Sequence, residues 1–423
     1  MSLPGGAPER HTVALRPPEA CLARMMQGAP PQRSSCGCDS VEQAPELYLP
    51  RRAVRRGGAL VGRTDDRVTP AYLNRITTAV PAHDVHDAFV CLAGTTLLES
   101  PRDRALFGKL AEKAQIDHRF SVLEPSADSI GGRVDAGHFY GRGDLPSTGA
   151  RMRAYREHAP RLAMKAIAGL DLGTAARRIT HVIVTSCTGF YAPGLDLEIV
   201  EQCGLDPSVE RTVVGFMGCY AAINALKLAR HIVRSGPESR VLVVNLELCS
   251  LHLTEARGLE QILSFLVFGD GCAASVVSAD PRGLALDRFR SVLVPETREL
   301  ITWNIGDQGF DMVLSGKVPG AVRRGLESSA AAILDGASTA DIDVWAVHPG
   351  GRSVLDAVES GLGLPPAALA VSRAVLRAYG NMSSATVMFV LEKILGTARA
   401  GERGCAMSFG PGLTAETFLF HKA

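Results

Sequence analysis

The chain has 423 residues, 46% hydrophobic and 21% charged, an ordinary globular composition with room for two domains or one large duplicated α/β body. Its 45 basic and 44 acidic residues leave a net charge of +1, too little to attract nucleic acid non-specifically, although local basic clusters can still hold a phosphorylated ligand. No apolar run approaches the roughly 20 residues a bilayer span needs, and the start lacks a basic n-region followed by an apolar h-region, so a cytoplasmic protein is expected.

Residues 1–68 are rich in Pro, Arg, Gly and Ser, show no sustained 2- or 3.6-residue period, and end in the basic stretch 51–56. They read as a disordered extension or an over-long start; the prolines and acidic residues argue against a transit peptide. Of ten cysteines only Cys36 and Cys38 are spaced like metal ligands, and no second ligand pair lies near them, so no metal site is expected. From residue 71 strands and helices alternate. A strand is predicted over 71–79 and a helix over 101–115, with Leu106, Leu110 and Ala114 on one face and Lys109 and Lys113 on or near its flank. A continuous apolar strand at 181–186 follows, then a short strand at 211–215, a helix at 220–234, and strands at 241–246 and 272–278. The second run has a strand at 342–347, helices at 351–361 and 383–397, and closing strands at 404–409 and 414–421. Two such runs predict layered α/β halves, 69–285 and 286–423, parting near residues 281–292.

Four segments carry chemistry. In VGFMGCYAA (214–222) a short strand passes through two glycines into a helix, with Cys219 at the helix tip, where free N–H groups and the helix dipole favour a thiolate. In WAVHPGG (345–351) an apolar strand ends on His348, a place where α/β active sites collect. In YGNMSS (379–384) Asn381 lies in a turn and Ser383 or Ser384 can cap the helix after it. FGDG (268–271) is a tight turn into a strand. Taken singly, each reads as well as a small buried residue, a satisfied histidine, a turn or a corner.

Their order, Cys…FGDG…HPGG…GNMSS and a closing FGPGL (409–413), resembles that of type III polyketide synthases over about five-sixths of the chain. The resemblance implies a thiolase-like αβαβα fold, a homodimer, and decarboxylative condensation of malonyl-CoA onto a starter acyl-CoA, with no metal or redox cofactor. It implies Cys219 as acyl carrier, His348 and Asn381 as its catalytic partners, and Phe268 as a gatekeeper. It further implies Phe310, Cys187, Thr188, Ala192 and Ser383 as cavity residues, and Lys109 and Lys113 as anchors of the CoA phosphates. Leu106 stands where a third cation is usual, and Ser408 where the closing loop usually has glycine. A thiolate–imidazolium pair between Cys219 and His348 is expected before substrate arrives. Two rivals remain: a ketoacyl-carrier-protein synthase III-like enzyme, which would show a different neighbourhood at the cysteine, and a non-catalytic relative, which would have lost one of the three residues. Small residues at 187, 188 and 192 leave volume for a medium or long fatty acyl starter, giving alkylpyrone- or alkylresorcinol-type products.

Overall fold

The computed structural model describes residues 69–127, 134–141, 145–254 and 258–423; the expectations for residues 1–68, Cys36 and Cys38 included, lie outside them. The N-terminal half contains β1 (Tyr72–Ala79), β2 (His83–Asp84), α1 (His86–Leu92), α2 (Pro101–Ala114), β3 (Phe120–Ser121), α3 (Thr148–Gly169), β4 (His181–Ser186), α4 (Leu195–Gln202), β5 (Glu210–Gly215), α5 (Ala221–Ser235), β6 (Val241–Leu248), α6 (Leu259–Val267) and β7 (Asp270–Ser278). The C-terminal half contains β8 (Leu284–Leu293), β9 (Ile301–Gly306), β10 (Gly309–Leu314), α7 (Val318–Ile333), β11 (Val344–Val347), α8 (Arg352–Leu362), α9 (Ala370–Tyr379), α10 (Thr386–Thr397), β12 (Arg403–Gly410) and β13 (Thr414–Lys422).

Nine strands form one ladder in the order β11-β12-β13-β8-β1-β7-β6-β4-β5. Its two sides repeat one pattern. β4 runs parallel to β6, β6 antiparallel to β7, and β7 antiparallel to β1. In the same way β11 runs parallel to β12, β12 antiparallel to β13, and β13 antiparallel to β8. Among the described residues the sides join where Tyr72 and Leu73 pair with Ala285 and Leu284, beside a bond from Leu286 N–H to Ala71 O at 2.8 Å.

Alternation along the strands creates the layers. Val241 and Val243 of β6, Ala273 and Val277 of β7, Ala406 of β12, and Phe418 and Phe420 of β13 all face one cluster that holds the buried sides of α5 and α10. The intervening residues Leu242, Val244 and Leu246 face α3 and α4, and Cys405 and Met407 face α7 and α8. The order is helices, sheet, two central helices, sheet, helices: the thiolase-like αβαβα arrangement. No helix among the described residues is long and apolar enough to cross a membrane.

Phe418 marks the middle of this stack, 1% exposed and stacked on Phe289 at 4.9 Å. Phe418→Ala should lower unfolding free energy by about 3–5 kcal/mol, read as a lower urea midpoint at an unchanged slope.

Candidate active site

Both central helices begin at one cavity. A single 3₁₀ turn, Gly218–Tyr220, precedes α5 and carries Cys219. Gly218 has φ of +71°, and a Cβ there would overlap the Pro411 ring, so the turn demands glycine. A matching turn, Ser383–Ala385, precedes α10. The Cys219 thiol donates to Ser383 Oγ at 3.7 Å, linking the two helix starts. Cys219, His348, Asn381, Phe268, Ser383, Cys187 and Thr188 all line this cavity.

His348 follows β11, where its N–H donates to the Met407 carbonyl at 2.8 Å. The side chain is 1% exposed, and neither ring nitrogen has a hydrogen-bond partner among the described residues. Asn381 is held firmly. Its Oδ1 accepts from Ser383 N–H at 2.9 Å and from the Thr386 hydroxyl at 3.3 Å, so its Nδ2 end points toward Gly350, whose carbonyl it reaches at 3.2 Å. Phe268 and Asn381 are joined by backbone: Asn381 N–H donates to Val267 O at 2.7 Å and Gly269 N–H to Asn381 O at 2.9 Å.

Desolvation sets the charges. It pushes the Cys219 thiol up to about 12, against the lowering effect of its hydrogen bonding with Ser383 and Asn381, and drives His348 down to about 3. Burial therefore favours a neutral thiol and a neutral imidazole over the ion pair expected from the helix tip. Iodoacetamide alkylation of Cys219 should therefore keep accelerating as pH rises past about 9; a plateau already reached near neutral pH would restore the ion pair.

A residue that the motifs leave out lies beneath. Glu247, fully buried on β6, accepts from Cys187 N–H (2.9 Å), the Thr188 hydroxyl (2.8 Å) and the Ser384 hydroxyl (2.6 Å), tying the end of β4 to the start of α10. The signal was present in VLVVNLEL, where an acidic side chain interrupts a strand apolar on both faces. Burial raises its carboxyl from 4.5 to about 7. The native state thus holds this proton more tightly than the unfolded chain. The resulting stability is complete below about pH 4.5 and is lost as pH rises through about 7. Between about pH 5 and 8 the urea midpoint should fall for the parent and stay flatter for Glu247→Gln.

Two expected cavity residues, Phe310 and Ala192, are not part of the lining. Phe310 is 2% exposed and lies behind the lining, stacked on His252 at 4.2 Å and edge-on to Trp303 at 5.7 Å; Met312, two residues on along β10, lines the cavity itself. Trp303 of β9, which sequence reasoning passed over, also lines it, its Nε1 donating to Cys187 O at 2.8 Å. His252 Nε2 donates to Thr188 O at 2.7 Å and its Nδ1 accepts from Phe310 N–H at 3.3 Å, so it is a neutral brace. Ala192 is exposed and lies outside the lining. Lys109 and Lys113 are exposed on α2 outside the lining, and Arg352 at the start of α8 donates to the Lys113 carbonyl at 3.2 Å. Ser408 is accommodated within β12, fully buried.

This cavity adjoins a second one. Its lining includes Ala88, Phe89 and Leu92 from α1 and Val85 just before it, with Arg119, Tyr140 and Leu253, and the two cavities share Cys249, Phe265 and Phe268 as a common wall.

A cysteine, a histidine and an asparagine around an apolar cavity, on the helix starts and strand ends of a thiolase-like fold, define an acyl-transferring condensing enzyme. The family profiles for the N- and C-terminal domains of chalcone and stilbene synthases match residues 67–281 and 286–423, and the chain belongs to this family of type III polyketide synthases. It is 33% identical over 393 residues, 89% of this chain and 98% of the relative, to the alpha-pyrone synthesis polyketide synthase-like Pks18 of Mycobacterium tuberculosis. It is 36% identical over 300 residues, 66% of this chain and 75% of the relative, to bisdemethoxycurcumin synthase of Oryza sativa subsp. japonica. Among solved structures it is similar to PKS-I of the brown alga Ectocarpus siliculosus, with TM-score 0.74 and 30% identity over 85% of this chain and all of that one. The C-terminal type III polyketide synthase domain of Steely1 from Dictyostelium gives TM-score 0.76 and 25% identity, covering 84% of this chain and 99% of that domain. The rival carrier-protein-dependent synthase is not favoured by these relatives.

Proposed function

We propose that the protein loads a medium- or long-chain fatty acyl-CoA onto Cys219, extends it with malonyl-CoA, and cyclises the product to an alkylpyrone or alkylresorcinol. The observation that carries this reading is the second chamber, which meets the Cys219 cavity at the wall of Cys249, Phe265 and Phe268. Trp303 occupies the side toward Cys187, so further length has its room on the Phe268 side. Each CH₂ moved from water into such a chamber is worth about 0.8 kcal/mol, which favours long chains over acetyl. The name of the mycobacterial relative, which refers to alpha-pyrone synthesis, agrees with a pyrone product.

Neutral groups suit the first step. A neutral His348 can take the Cys219 proton as sulfur attacks the starter thioester carbonyl, and the departing CoA thiolate then receives a proton. The acyl–sulfur bond to CoA breaks as the bond to Cys219 forms. Malonyl-CoA enters next, with its thioester oxygen toward His348 and Asn381 Nδ2. Loss of carbon dioxide leaves an electron pair delocalised onto that oxygen, where hydrogen bonds from those two residues stabilise the enolate. The enolate carbon attacks the Cys219 thioester, the acyl–sulfur bond breaks to release the Cys219 thiolate, which takes up a proton, and the chain, now on CoA, is two carbons longer. Phe268 keeps water from the enolate. Lys109 and Lys113 would anchor the CoA phosphates outside the cavity. A homodimer is supported by exposed apolar side chains at Phe190, Val213 and Met217, Val213 lying on the edge strand β5.

With labelled malonyl-CoA, kcat/KM should climb as the starter lengthens from acetyl toward dodecanoyl, and Ala88→Trp should cut extension of the long starters while sparing acetyl. A flat or falling series, or a preference for coumaroyl-CoA, would reject the long-chain reading. Mass spectrometry should place the acyl adduct on Cys219, and Cys219→Ala should abolish it; an adduct on Cys187 or Cys272 would reject the assignment.

A further inference from the structure

Arg119 borders the second chamber, only 3% exposed, and makes no ion pair among the described residues. Its Nε donates to His86 Nδ1 at 3.1 Å, and Nη1 donates to Phe265 O at 3.0 Å and Phe268 O at 2.6 Å. Its Nη2 is buried and has no hydrogen-bond partner among the described residues. The guanidinium carbon lies 5.0 Å from the centroid of the Phe89 ring, a face that eases the charge and accepts no in-plane N–H bond. A buried donor left unpaired is costly, so its place beside a chamber points to a ligand acceptor.

The missing partner is an acceptor rather than a charge. Desolvation lowers Arg119 only to about 10, so it stays cationic, and Asp84 and Asp270 favour that charge without touching it. Both carboxylates are already engaged, Asp84 with His118 Nδ1 (2.6 Å) and Asp270 with the Ser250 hydroxyl (2.6 Å) and Val122 N–H (2.9 Å). Two other acids, Glu124 and Asp135, line the chamber and would repel an anionic tail. The remaining walls are apolar at Val85, Ala88, Phe89, Leu92 and Leu253 and carry the hydroxyl-bearing residues Ser121, Ser126, Ser250 and Tyr140.

We propose that Arg119 Nη2 recognises a hydroxyl or oxo oxygen on the distal part of the starter chain, so that the chamber selects oxygenated acyl groups over plain alkyl groups. The proposal rests on the long-chain reading above and adds a polar determinant to it.

The test compares CoA thioesters from hexanoyl to myristoyl, each with and without a terminal hydroxyl, by kcat/KM under competition. A hydroxyl that finds no partner on entering the chamber loses affinity, and the ratio of hydroxylated to plain starter falls below one. With the Arg119 contact, the ratio should reach about fivefold in favour of the hydroxyl at the length that fills the chamber. Arg119→Lys keeps a cation and a donor near the Phe268 carbonyl but lacks Nη2; it should bring the ratio below one while plain starters are still extended. A purely structural role for Arg119 would slow both starters alike and leave the ratio unchanged. A wild-type ratio at or below one at every length overturns the proposal even if the lysine variant does not fold. Extension of plain long starters in that case leaves the long-chain reading standing; failure of every long starter overturns that reading itself.

Discussion

The constraint on which the rest depends is the burial of α5 and α10 between the two sides of the sheet. A surface helix needs one apolar stripe, but a helix with sheet on both sides must be apolar nearly all round. α10 meets that demand, with Thr386, Val387, Met388, Phe389, Val390, Leu391 and Ile394 all buried. Packing both helices into one layer brings their N-terminal turns together, so Cys219 and Ser383 meet although 164 residues separate them in sequence. The same burial means that the ends of both helices open into a space walled by protein. The site exists because the middle layer exists.

An enclosed site sets its own ionisation. Cys219, His348, Glu247 and Cys187 all move toward their neutral forms, and desolvation is the largest cause in each case. For a condensing enzyme this is useful. A neutral imidazole can accept the thiol proton at the moment of attack, and an apolar wall makes loss of carbon dioxide easier than retention of a carboxylate. Asn381 complements it, because its oxygen is held by Ser383 and Thr386 and its N–H end cannot turn away.

The strands were legible because they are apolar on both faces: 181–186 falls where the period placed it, and the predicted strands at 241–246 and 272–278 extend by only two residues each, to 248 and from 270. The order of the four motifs carried the family. α3 escaped notice because a 22-residue helix with Pro160 in its interior and arginines along its length has no clean apolar stripe. Choosing between Phe310 and Met312 was beyond a motif, since both lie on one strand two residues apart and only packing against His252 decides which of them reaches the cavity. The effect of burial on ionisation was hidden for a related reason. The helix tip is local and visible in sequence, whereas the walls that desolvate Cys219 come from Phe268, Val354 and Pro411, far along the chain.

Phe268 sits where two requirements cross. Its backbone is laddered to Asn381, the donor that the proposed mechanism turns toward the enolate oxygen, and its carbonyl is also held by Arg119 from the second chamber. The aromatic ring between the cavities is therefore fixed from the condensation side and from the chamber side at once. A tail that displaced the end of α6 would strain the Asn381 ladder as well, because Val267 O and Gly269 N–H both bond to that residue. A chain that fits without moving α6 leaves the donor in register. On the proposed reading, selection of the starter and stabilisation of the enolate share one short stretch of backbone, residues 267–269, so a poor fit in one chamber would be felt as weaker chemistry in the other.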